Sequence, residues 1–154
     1  EMKPLPTMHW TSQITFYWFQ TFPAGRIVEV EHRYKPVAGL SFVSQYELDE
    51  GYYQREFCLG DREARKLRET LKRQEQGMMR GIELRYVLVT AGNWMGSIGK
   101  FSMTIDKGDA QTLLATCWKG LVADGPRLLK YREDNFQPEG DLRLLLVKPL
   151  ERSE

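Results

Sequence analysis

Two histidines, two cysteines and two knots of carboxylates are the groups in this sequence with chemistry to offer. His9 and His32 could hold a metal only with Asp or Glu partners, and no His-x-x-x-His spacing supplies a paired ligand set. Cys58 and Cys117 are far apart, and no Cys-x-x-Cys occurs. They are too few for a zinc site, so they are either one disulfide in an oxidising compartment or two buried thiols. Neither cysteine has a neighbouring histidine, and no Gly-x-Ser-x-Gly elbow is present, so nucleophilic catalysis has no visible machinery. Glu47, Asp49 and Glu50 form one acidic group, Glu133 and Asp134 another. Two carboxylates converging in one cleft would suit a hydrolase or a sugar-active enzyme; left apart, they are solvated loops. The first group lacks the Asp-x-Asp-x-Asp-Gly order of a calcium loop. No metal or cofactor is expected, and no catalytic residue can be named.

Recognition is better equipped than catalysis. Gly92-Asn93-Trp94-Met95-Gly96 is the sharpest local feature. Its glycines permit positive φ, Asn93 can bond nearby backbone, and Trp94 can either cap the end of a sandwich or stand out as a stacking platform. Tyr17, Phe19, Tyr52 and Tyr53 pose the same alternative, because alternation along a strand sends some aromatics outward. An exposed aromatic strip implies a covering domain or partner.

These residues sit on elements that read mainly as strands. Gln13–Phe22 is rich in aromatic and β-branched types, Pro23-Ala24-Gly25-Arg26 is a turn, and Ile27–Lys35 alternates cleanly. His32 falls on the face of Val28, Val30 and Tyr34, which reads as cross-strand packing. Residues 37–60 read as a long, partly ordered loop with a short strand near Leu40–Val43. One helix is expected over Asp61–Gln76, with Asp61 as N-cap, Ala64, Leu67 and Leu71 at helical spacing, and Gly77 just past its end. Its apolar stripe is narrow, so it should lie on the surface of a sheet. Further strands follow around Ile82–Val89, Lys100–Ile105, Leu113–Cys117, Arg127–Arg132 and Leu142–Val147, with turns at Asp106–Asp109 and Asp124–Pro126.

The whole reads as a mainly β protein: an antiparallel sandwich of about seven or eight strands with one surface α-helix. Residues 1–11 form an irregular lead-in and residues 12–150 one β-rich domain. At 154 residues a domain can bury roughly 70% of its unfolded surface, enough for a self-sufficient core. A net charge of +1 gives no electrostatic reason to bind nucleic acid. The longest aliphatic run, Leu144–Val147, is far too short to span a membrane as a helix.

Three stretches carry a family resemblance: Gln20-Thr21-Phe22-Pro23-Ala24-Gly25 with Val30-Glu31-His32-Arg33-Tyr34-Lys35-Pro36; Thr90 through Ile98 leading to Phe101 and Asp106-Lys107-Gly108; and Cys117 through Phe136-Gln137-Pro138 to Asp141-Leu142. On these the chain resembles the bacterial exported proteins grouped as domain of unknown function 4424. Ser97 stands where the family pattern has Pro, and Leu59 where it has Ile. The resemblance implies the carboxy-terminal portion of a longer exported protein, periplasmic or secreted, with Cys58 and Cys117 joined as a disulfide. It transfers no activity. The expected role is a non-enzymatic envelope domain that binds or scaffolds a protein or glycan partner through an aromatic surface; the alternative is a hydrolase or sugar-active enzyme built on the loop carboxylates.

Overall fold

The computed structural model describes residues 17–35, 38–93 and 96–149. The chain divides between Tyr34 and Lys35 into two units.

In the first unit the expected hairpin does not form a sheet. No strand lies within residues 17–35, and the Gln13–Thr15 start of the expected first strand lies outside the described residues, as does Phe16. The turn itself is where the sequence puts it: Ala24 and Gly25 reverse the chain, with Gly25 at φ 68°. Across that turn the rings of Trp18 and His32 pack 4.8 Å apart. Alternation names the faces of a strand but does not supply the neighbours that hold it; an isolated two-stranded ribbon is marginal in water. Tyr17 and Phe19 are 81% and 96% exposed, their rings meeting edge to face at 6.5 Å.

Among the described residues the second unit holds seven strands in two antiparallel sheets. In chain order they are β1 (Gly39–Ser44), three helices α1 (Gln45–Asp49), α2 (Tyr52–Phe57) and α3 (Asp61–Leu71), then β2 (Met78–Tyr86), a 3-10 turn (Val89–Asn93), β3 (Ile98–Asp106), β4 (Leu113–Ala115), β5 (Val122–Asp124), β6 (Leu128–Phe136) and β7 (Leu142–Pro149). The larger sheet has the order β1-β2-β7-β4 and the smaller β3-β6-β5. The mainly β, sandwich-like reading is therefore correct: β1, β2, β3, β4, β6 and β7 fall on expected segments, β5 is an addition, and the two strands expected around Gly25 are not formed within residues 17–35.

β7 explains the layering. After the exposed Arg143, its run Leu144–Val147 has no polar residue because both faces are covered there. Leu142 and Leu144 join Ile105 of β3, with Leu84, Leu114 and Leu129 packed around them, in a core between the sheets. Leu145 and Val147 point the other way, into a core with Val43, Met79, Ala115 and the helices. Three layers result: helices, larger sheet, smaller sheet.

The helical layer corrects the expected single surface helix and the expected loop before it. The segment after β1 forms α1 and α2, which bury Leu48, Tyr53 and Phe57. Ser44 and Glu47 form a capping box: the Glu47 carboxylate accepts from the Ser44 backbone N–H at 2.9 Å and from the Ser44 hydroxyl. In α3, Gly60 is the N-cap and Asp61 the first helical residue. The helix ends at Leu71 instead of Gln76. Nothing apolar follows Leu71 to keep the helix on the core, and residues 72–77 leave through tight turns closed by Arg73 N–H to the Thr70 carbonyl and Gly77 N–H to the Gln74 carbonyl, each 3.0 Å. Gly81 is needed in β2, since a Cβ there would stand 2.5 Å from the Ser41 hydroxyl across the β1–β2 ladder.

Candidate functional site

The segment after β4 crosses the open end of the sandwich and builds a groove of about 640 Å³ between β6, the start of β7 and α2. Its wall is aromatic. Phe101 of β3 stacks on Phe136 of β6 with ring centroids 4.2 Å apart. Trp118 meets Tyr131 edge-on at 5.4 Å and leans on Phe136 at 5.9 Å.

Alternation along β6 puts Leu129, Tyr131 and Glu133 on one side and would turn Phe136 to the other. Asn135 prevents this: its φ of 56° reverses the direction of the chain's next side chain and brings Phe136 back onto the cluster. Asn is among the few non-glycine residues that adopt this conformation readily. That residue is the one local signal from which the cluster was legible. Phe101, Trp118, Tyr131 and Phe136 come from separate segments, and the sequence reading did not join them.

The rim is polar and largely self-paired. Arg143 Nη1 donates to Glu56 Oε2 at 2.9 Å. The Tyr131 hydroxyl donates to Glu133, and this bond to a carboxylate raises the tyrosine's pKa above its ordinary value. Asp141 Oδ1 accepts from the backbone N–H of Leu88 at 3.0 Å and of Val89 at 3.2 Å, pinning the chain after β2 to the rim. Lys119, Gln137 and Glu139 also line the groove. The arrangement offers flat apolar faces beside several hydrogen-bonding groups, which suits holding a ligand.

Cys58 and Cys117 form a disulfide at the edge of this groove, with Cα atoms 4.9 Å apart. Cys58 closes α2 in the left-handed conformation at φ 50°, and Cys117 lies two residues beyond β4 instead of ending it. The bridge thus fastens the helical layer to the segment that carries Trp118.

The other sequence-named residues are scattered. Tyr53 is in the core at 1% exposure, closed to any ligand, and Tyr52 packs against that core. Asn93 ends the 3-10 turn, and Trp94 lies outside the described residues, as does His9. Glu47 caps α1. Asp49 accepts from Gln45 at 3.0 Å and pairs with Arg68 at 3.2 Å, and the Gln45 hydrogen bond chiefly holds its pKa below the usual value. Of the second acidic pair only Glu133 reaches the groove; Asp134 faces away from it, opposite Lys100 in the ladder. Ser-x-x-Lys spacing, expected to be absent, does occur once, at Ser97-Ile98-Gly99-Lys100. Ser97 precedes β3, and Lys100 lies within that strand opposite Asp134 of β6. Among the described residues no group of three His, Cys, Asp or Glu could hold a metal ion, and no helix is long and apolar enough to cross a membrane.

A second hollow, about 390 Å³, opens between α3 and the short strands β4 and β5. Its Lys107 ammonium already donates to the Thr112 carbonyl at 2.9 Å, and its floor is the inter-sheet core.

Comparison with curated proteins and with solved structures returns no match. The family described as Domain of unknown function (DUF4424) matches residues 2–145, in agreement with the three stretches that suggested it. Over most of its length, then, this chain is a member of the DUF4424 family.

Proposed function

We propose that this chain is a non-catalytic domain of an exported protein, and that it binds an envelope glycan in the groove walled by Trp118, Tyr131 and Phe136. The observation that carries the reading is the aromatic wall set beside carboxylates that already have partners. Glu56, Glu133 and Asp141 each accept a hydrogen bond from the protein, which suits groups that orient hydroxyls more than groups that shuttle protons. Sugar rings present apolar C–H faces to aromatic side chains and hydroxyls to carboxylates and amides, and both kinds of partner line the groove. The disulfide supports an oxidising compartment, and hence export, since such bonds are rare in the cytosol.

Titration with soluble envelope oligosaccharides, followed by calorimetry, tests the reading. The expected result is saturable binding that Trp118→Ala weakens by at least about tenfold, equal to roughly 1.4 kcal/mol, with the melting temperature held by a Trp118→Phe control. Release of shortened oligosaccharides during the titration would favour the hydrolase alternative. Binding that ignores Trp118 would move the site elsewhere.

A further inference from the structure

Three of the four sheet edges are short: β4 and β5 have three residues each and β1 has six. β3 is different. It is nine residues long, contains no proline, and pairs on one side only, with β6; no strand of the described residues lies along its other edge. A long edge of this kind is a ready template for pairing with another chain.

The side chains of β3 say what fits. On its solvent face stand Lys100, Ser102, Thr104 and Asp106; on its inward face stand Phe101, Met103 and Ile105. We propose that β3 pairs antiparallel with β3 of a second copy of this chain, about a two-fold axis through Met103. In that register Lys100 lies opposite Asp106 of the second copy, twice, and Ser102 lies opposite Thr104. On the other face Phe101 meets Ile105 and Met103 meets its own symmetry mate, extending the inter-sheet core across the axis. Every inward residue meets an inward one, because this register preserves the pleat. Moving the axis by one residue either way, to Ser102 or Thr104, slips the register by two residues, removes both opposite-charge pairs and sets Lys100 against Thr104 or Gly108. Asp106 already pairs with Arg127 at 2.5 Å, so the incoming lysine would complete a three-charge cluster at each end of the ribbon. The result is one six-stranded sheet shared by two copies, the isologous contact typical of symmetric dimers. Lys100 then has two roles. It discourages indiscriminate edge pairing, and the second copy's Asp106 answers it.

Sedimentation of the full 154-residue chain over a wide concentration range is the test. A dimer is expected, with Lys100→Glu raising its dissociation constant by about tenfold or more through repulsion at both ends. Thr104→Lys, also on the exposed face, should do the same by opposing Ser102 with a charge, and Lys100→Glu with Asp106→Lys should recover association. Melting temperatures of the three variants separate lost pairing from lost folding. Amide exchange should be slow on both edges of β3 in the dimer. A chain that is monomeric throughout, or a dimer indifferent to Lys100→Glu and Thr104→Lys, would overturn the proposal.

Discussion

The two faces of the four-stranded sheet are buried to different depths. On the helical side Val43, Leu48, Phe57 and Leu145 have no accessible surface at all. Between the sheets only Ile105, Leu142 and Leu144 form the buried centre, ringed by half-buried residues such as Met103, Trp118 and Leu121. The helical side is a closed core. The inter-sheet side is thinner and runs out into the open aromatic groove. Enclosure and access are thus divided between the faces of one sheet, and a domain divided this way can change its groove without dismantling its core.

Adjacent leucines on β7 put this division to its strongest test. Leu145→Ala, on the helical side, is expected to cost about 4–5 kcal/mol, whereas Leu144→Ala on the sandwich side should cost about 2–3, because a less enclosed site can relax around the cavity. Urea unfolding of the two variants measures both. Equal losses would erase the distinction.

Removing the disulfide with Cys58→Ala and Cys117→Ala is next in size. Freeing a loop of 59 residues should cost about 3–4 kcal/mol. Hydrogen exchange should show α2 and α3 loosening before the β3–β6 ladder. Loosening that begins at β3–β6 would mean that the bridge serves the sandwich instead of the helical layer.

Tyr53 gives a smaller effect that depends on pH. Burial, helped by the nearby Glu47 charge, pushes its phenol up to about 12, and its ring is 1% exposed. The folded state therefore holds this proton more tightly than the unfolded chain, whose tyrosine titrates near 10. Its contribution is complete below pH 10 and is lost as pH rises towards 12, a change of about 2–3 kcal/mol. Tyr53→Phe should flatten that part of the stability curve. An unchanged slope would show that the helical side admits water at this point.

Much of the β architecture was legible because burial leaves a mark in composition. The unbroken Leu144–Val147 run announced a strand covered on both faces, and Gly125 marked the turn between β5 and β6. Less visible was structure held by distant partners. Residues 45–57 show no sustained period, since α1 and α2 are too short to display one; their trace was the Ser44-x-x-Glu47 capping spacing. The segment around Gly25 shows the converse: clean alternation over residues 27–35, yet no strand among the described residues 17–35. The groove was hardest to read. Its rings converge through the fold, and a single left-handed residue, Asn135, decides which way Phe136 faces.

The position of β7 has a consequence for the order in which this molecule can be made. It is the last strand among the described residues, yet it sits inside the larger sheet between β2 and β4 and supplies side chains to both cores. During synthesis, β1 can zip onto β2 and β3 onto β6, but neither hydrophobic layer can close until residues 142–149 emerge. Nascent chains lacking these eight residues should therefore remain open to proteases and holding chaperones, and the finished chain should fold in one late, slow, cooperative step dominated by long-range contacts.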